Sequence, residues 1–297
     1  MDLNAAPWRR PRPKHPSGVP AWSMPSEGYR EDPVPADLFG GIDAEWAWGG
    51  SDGHGVRVCV LDSGVDSAHP LVGPLERSWH VVTEDGRPPR VAECEPRDTS
   101  GHGTSCAGII RQVAPRASIS SLRVLGSGGS GTAAALMAGL AFAIEEGFDV
   151  INISLSTSRP EFRDRLAELC DRAYFRRCTL AVAAHNLPVQ SFPWNFASVI
   201  SVASHAEPDP LRYYYNVTPP VDFCAYGVRV PVAALGGGTT RNTGNSFAAP
   251  HIAAIAALAL SKHPWLTPFQ LKTVLYHCAA NVTVHASGGG TIVARTI

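Results

Sequence analysis

A chain of 297 residues, 44% hydrophobic and 17% charged, has enough apolar material to bury one large core, which sets it apart from disordered and fibrous classes. Its 25 basic and 26 acidic side chains leave a net charge of −1, so neither nucleic acid nor an anionic membrane surface is expected as a partner. Seven cysteines, an odd count scattered without metal-ligand spacing, argue against a disulfide framework and against a zinc module.

Residues 1 to 40 are polar and punctuated by Pro7, Pro11, Pro13, Pro16, Pro20, Pro25, Pro33 and Pro35, so they are expected to be extended or disordered. No apolar segment follows Arg9, Arg10 and Arg12, which argues against a secretory leader and for a cytoplasmic setting. Residues 41 to 297 are expected to form one domain. The apolar run Val56 to Leu61 reads as a buried strand, and Ser63-Gly64 breaks it directly after Asp62. That puts the carboxylate at the carboxyl end of a strand, where open α/β sheets gather their ligands.

Further along, His102 lies in Gly101-His102-Gly103-Thr104 and opens a predicted helix over residues 102–111. Cys59 and Cys106 fall in predicted core elements and read as small buried hydrophobes. Strands are predicted over 118–124, 150–154, 180–184 and 199–203, and helices over 132–146, 161–176, 247–262 and 268–278. This alternation predicts an α/β fold of three layers, a mainly parallel sheet with helices on both faces. Ser246 stands in Gly244-Asn245-Ser246-Phe247-Ala248-Ala249-Pro250-His251, with Pro250 expected in the first turn of a long apolar helix. At 17 residues, with a proline and a histidine inside, residues 246–262 read as a buried core helix and not as a membrane span. Asn152, Asn216 and Asn281 each begin a glycosylation sequon, a match too short to carry weight without secretion.

Asp62, His102 and Ser246 are the residue types that nucleophilic catalysis needs. A serine hydroxyl attacks a carbonyl only when an imidazole takes its proton, and a buried carboxylate fixes the imidazole tautomer and steadies the imidazolium. Singly each motif is weak: Asp-Ser-Gly is usually a turn after a strand, His102 can simply start a helix, and Ser246 can simply cap one. Packing alone has no use for all three with these neighbours.

In the order Asp, His, Ser and in their local motifs, the chain resembles the subtilisin-like serine peptidases, whose own order this is. The resemblance runs from about Ile42 to about Val282. It takes in Val124-Leu125-Gly126, Asp149 to Leu155, Ala183-Ala184-His185-Asn186, Phe192-Pro193 and Ser261 to Pro264. It implies a serine endopeptidase that works through an acyl-enzyme without any cofactor. It further implies that the Asn186 amide and the Ser246 N–H receive the oxyanion. An extended peptide or protein substrate would lie between the edge formed by Gly129, Ser130 and Gly131 and the edge formed by Ser154, Leu155 and Ser156.

Where the chain departs from the family pattern, it informs on specificity. His185 stands where a glycine commonly precedes the oxyanion asparagine, and Ser156-Thr157 where a glycine pair is common, so the pocket is expected to be narrowed or reshaped. Leu187 follows Asn186 where an acidic residue is frequent. The pocket segments, with Ser191, hold no carboxylate, so an apolar residue is expected before the scissile bond and a dibasic preference is disfavoured. Only Gly108 to Gln112 separate the helix begun at His102 from Val113-Ala114-Pro115, and Leu71 follows His69-Pro70. With neither the family's calcium loop nor its acidic ligand, no structural calcium is expected. Export members carry a folded prodomain, which the Pro-rich segment is too short to supply. Dedicated maturation of a peptide or protein is favoured over general turnover. An inactive binding domain and an esterase or ligase on the same scaffold remain open.

Overall fold

The apolar run before Asp62 forms β1 (Arg57–Asp62), buried at every residue but its first. A computed structural model describes residues 41–84, 86–126 and 130–282, so the segment expected to be extended over residues 1–40 lies outside the described residues. The elements named here all belong to the unit that begins at Asp43. After α1 (Ala44–Trp48) and β1 come β2 (Ser78–Val82), β3 (Arg90–Glu93), α2 (His102–Val113), β4 (Ser118–Arg123), α3 (Ala133–Glu145) and β5 (Val150–Ile153). A 3₁₀ turn at Pro160–Phe162 leads into α4 (Arg163–Phe175), followed by β6 (Thr179–Ala183) and β7 (Ile200–His205). The rest comprises β8 (Tyr213–Tyr215), β9 (Phe223–Tyr226), β10 (Val230–Ala234), β11 (Gly238–Asn242), α5 (Asn245–Lys262) and α6 (Pro268–His277).

Nine strands make one sheet in the order β3-β2-β4-β1-β5-β6-β7-β9-β8. Every pairing in it is parallel except the two edge pairings, β2 with β3 and β8 with β9. The fold is therefore α/β with a mainly parallel central sheet, as the alternation predicts. Strand β1 is central: β2, β3 and β4 follow it on one side, and the chain then crosses to β5 on the other. That reversal opens a crevice at the carboxyl ends of β1, β4 and β5.

Side chains alternate along β1. Cys59 and Leu61 pack in the cluster that holds Leu140 and Ile144 of α3 and Leu166 and Leu169 of α4. Val58, Val60 and Asp62 thus point to the opposite face, where α2 and α5 pack. Helix α5 is buried from Phe247 to Leu260, and its run of alanines lets it lie close to both sheet and α2. A helix apolar on all sides belongs in a core.

The sequence pattern missed β2, β3, β8, β9 and the β10/β11 hairpin, because three of these strands span only three or four residues and β11 is polar and exposed. The Pro250 expectation needs a sharper correction. Helix α5 starts at Asn245 with Gly244 as its cap, so Pro250 lies in the second turn and not the first.

Candidate active site

Asp62, the last residue of β1, is fully buried, and its carboxylate faces His102, the first residue of α2. The His102 Nδ1 lies 2.9 Å from Asp62 Oδ1 and 3.0 Å from Oδ2, while the Ser63 N–H donates to Oδ1 at 2.7 Å. Burial works against a charge on the ring, and the Asp62 carboxylate overrides it, so the imidazole holds its proton above its ordinary value of 6.5. Such close approach of α2 to β1 requires Gly103. A Cβ there would lie 2.1 Å from the Gly64 carbonyl oxygen and 3.2 Å from the Asp62 Cβ.

A second carboxylate holds the start of α2. Asp98, mostly buried, accepts hydrogen bonds from Ser63 Oγ, from the N–H groups of Ser100, Gly101 and Thr104, and from Thr104 Oγ1. Burial opposes its charge, and the donors from Thr104, Ser100 and Ser63 override that, holding the carboxyl below 3.8. Asp98 ties the β1 turn to the turn that presents His102. The sequence reading missed it, although its place four residues before His102 could have suggested an anchor.

Ser246 is the second residue of α5, where the first N–H groups of a helix have no helical acceptor. Among the described residues, Ser246 Oγ, the Ser246 N–H and His102 Nε2 make no hydrogen bond, so all three are unengaged. The His102 ring packs on Phe247 with centroids 5.3 Å apart, which sets it against the start of α5. Asn186 follows β6, and its Oδ1 accepts the Asn245 N–H at 2.9 Å. That bond commits the oxygen end of the amide and leaves Nδ2 as its free donor. Asn245 is itself a tie that the sequence reading did not single out: its Nδ2 donates to the carbonyls of Ala184 and His185, and its Oδ1 accepts from Ser204 Oγ.

Gly244 lies between these groups. A Cβ on it would sit 3.3 Å from Ser246 Oγ and 3.5 Å from Asn186 Nδ2. Its missing side chain leaves space that the hydroxyl and the amide donor both border.

Pro250 lacks the N–H that would satisfy the Ser246 carbonyl four residues earlier. That carbonyl instead accepts from Ser154 Oγ at 3.0 Å, and Ser154 Oγ accepts from Asn152 Nδ2 at 3.0 Å. Cys106 is buried as expected, but it is no remote core residue. Its Sγ lies 3.6 Å from the Ser246 carbonyl and from Ser154 Oγ, and 3.9 Å from His102 Nδ1. Asp62, His102 and Cys106 are the one group of potential metal ligands among the described residues, with ligand atoms within 4.8 Å of one another. Burial raises the Cys106 thiol above 9.0, and Asp62 and His102 Nδ1 are committed to each other, so the cluster reads as a hydrogen-bonded assembly and not a cation cage.

A cleft of about 700 Å³ opens beside His102 between the two predicted edges. Ser130, Gly131, Ser154, Leu155, Ser156 and Thr157 line it. Gly129 lies outside the described residues. His185 and Leu187 do not line this cleft: the His185 ring folds back so that Nδ1 accepts the Leu187 N–H at 3.0 Å, and Leu187 is exposed. Ser191 is fully buried, with its Oγ accepting from Trp194 Nε1 at 2.8 Å. All seven cysteines are unpaired, and among the described residues no helix is long and apolar enough to cross a membrane.

Residues 53–293 match the model of the subtilase family. The chain is similar to subtilisin NAT of Bacillus subtilis subsp. natto, 33% identical over 238 residues that cover 75% of this chain and 60% of that protein. It is similar to thermitase of Thermoactinomyces vulgaris, 30% identical over 234 residues covering 74% and 80% of the two chains. The crystal structure of a cold-adapted subtilisin-like serine proteinase superposes with a TM-score of 0.63 at 26% identity, over 80% of this chain and 85% of that one. This chain thus spans about 60% of the length of subtilisin NAT but most of thermitase.

Proposed function

The chain belongs to the subtilase family, and on that premise we propose that it is a serine endopeptidase in which Asp62, His102 and Ser246 act as the catalytic triad. Ser246 Oγ attacks the peptide carbonyl while its proton passes to His102 Nε2. Asp62, bonded to Nδ1, fixes the tautomer that leaves Nε2 free to accept and steadies the imidazolium. The same proton then goes to the leaving amine, and water releases the acyl group by the reverse sequence. Asn186 Nδ2 and the Ser246 N–H donate to the oxyanion, with the positive end of the α5 dipole behind them. The observation that carries this reading is Gly244, whose bare face borders both the Ser246 hydroxyl and the Asn186 amide.

The substrate is an extended peptide. No backbone hydrogen bond engages Leu155 or Ser156 among the described residues, so that edge is open to a peptide strand. The residue before the scissile bond is apolar, in keeping with a cleft that no carboxylate lines and whose lining includes Leu125, Leu136 and Leu155. Seven free thiols favour a reducing compartment, and thus the cytoplasm. A cleft lined by Ser156 and Thr157 in place of bare glycines fits dedicated processing better than general turnover.

Incubation of the purified chain with a diverse peptide library, mapped by mass spectrometry, tests the reading together with fluorophosphonate labelling. Wild type should cleave and be labelled, and Ser246→Ala should do neither while keeping its circular dichroism spectrum. Cleavage undiminished in that variant would overturn the assignment.

A further inference from the structure

The cleft beside His102 carries a charge that the triad chemistry does not use. Its lining includes Arg159 and Phe162, five and eight residues beyond Ser154 in the chain, together with Leu125, Leu136 and Leu155. Among the residues that line it, Arg159 is the one with a permanent charge, and no carboxylate lines it. The Arg159 guanidinium makes no hydrogen bond, ion pair or ring contact among the described residues; only its backbone is engaged, the N–H with Thr157 Oγ1 at 3.3 Å and the carbonyl with the Phe162 N–H at 3.3 Å. Neighbouring arginines are committed elsewhere: Arg163 to Asp164, Arg165 to Glu168, and Arg172 and Arg176 to Glu145.

The backbone beneath Arg159 is held on both sides. Thr157 and Phe192 exchange two backbone hydrogen bonds of 2.9 Å. Pro160 follows Arg159 and confines it to extended angles, φ −79° and ψ 111°. The fixed backbone sets where the side chain leaves the chain, and a guanidinium fork matches a carboxylate in two parallel hydrogen bonds.

Building on the endopeptidase reading, we propose that Arg159 is a specificity-determining residue that takes an acidic side chain of the bound peptide. Five residues of extended chain reach at most about 18 Å, so the acidic side chain lies within about five residues of the scissile bond. The substrate class is thus a peptide with an apolar residue before the cut and an aspartate or glutamate a few residues away.

The test uses internally quenched peptides built on one cleaved sequence, with glutamate or its uncharged isostere glutamine at each of five positions on either side of the bond. The readout is the ratio of kcat/KM for the glutamate peptide to that for the glutamine peptide. In wild type, one position should give a ratio of about three to five at low ionic strength, the size expected of an exposed ion pair, and it should fall toward one as salt is added. Arg159→Gln should bring the ratio to about one, and Arg159→Glu should drive it below one. A wild-type ratio of one at every position, or a ratio that Arg159→Glu leaves in place, would overturn the proposal and spare the endopeptidase reading. Absence of any Ser246-dependent cleavage would overturn both.

Discussion

Ser154 donates its hydroxyl to the carbonyl of Ser246 at 3.0 Å, filling the place of the N–H that Pro250 lacks. The first turns of α5 are thereby tied to the end of β5, and the backbone that carries the hydroxyl and the N–H at Ser246 is fixed from beneath. Ser154→Ala should leave that carbonyl with only the weak Cys106 thiol as donor. Losing one such bond costs about 1 kcal/mol, or about 2–4 °C in melting temperature, and kcat should fall more than KM changes. Unaltered melting and unaltered turnover would show that the bond is incidental.

The Asp62–His102 bond predicts a pH profile. The ring can accept the serine proton only when neutral, and the Asp62 carboxylate raises its proton affinity. Activity should therefore rise with pH along a limb centred above 6.5. Asp62→Asn removes the stabilising charge and should shift that limb toward acid while lowering kcat by about 10⁴, the loss known for this change in a serine protease triad. A limb that stays in place in the variant would mean that another group controls the profile.

Gly244 and Asn186 give a paired test of the oxyanion site. Gly244 has extended backbone angles open to alanine, so Gly244→Ala should fold normally. Its methyl group would stand between Ser246 Oγ and Asn186 Nδ2, slowing both fluorophosphonate labelling and peptide turnover. Asn186→Ala removes one donor and should lower kcat by about 10²–10³ with little change in KM, the magnitude known for such a donor in a subtilisin. A rise in KM matching the loss in kcat/KM would show that the amide grips the ground state.

Asp98 bears on stability. Its carboxyl is held below 3.8, so the stability it contributes is present above that value and is lost as pH falls through the lower folded-state value. Asp98→Asn replaces a charged acceptor of five donors and should cost about 2–3 kcal/mol in urea unfolding near neutral pH. The difference from wild type should narrow as the pH is lowered below 3.8. A constant difference across that range would assign the cost to packing instead of charge.

How much of this was legible in sequence varied with the range of the interaction. Asp62, His102 and Ser246 each sit at the junction of a hydrophobic run and a breaker, a local pattern that marks strand ends and helix starts. The parallel sheet followed from the alternation of such runs. Pro250 was misplaced by one turn because a helix start depends on where Gly244 caps it, and element boundaries are the least local part of such patterns.

What the sequence by itself determined was the set of chemical groups, their chain order and the α/β layering, since these depend on residue type and on periods of two and 3.6. The tertiary structure alone decided that Asp98 holds the turn before His102, that Asn245 bridges to Ala184 and His185, that Cys106 lies against His102, and that Arg159 faces the cleft unpaired. These are meetings of side chains from separate strands and helices. No local spacing encodes them, because the distances arise only when the sheet order brings the carboxyl ends of β1, β5 and β6 to one edge of the crevice.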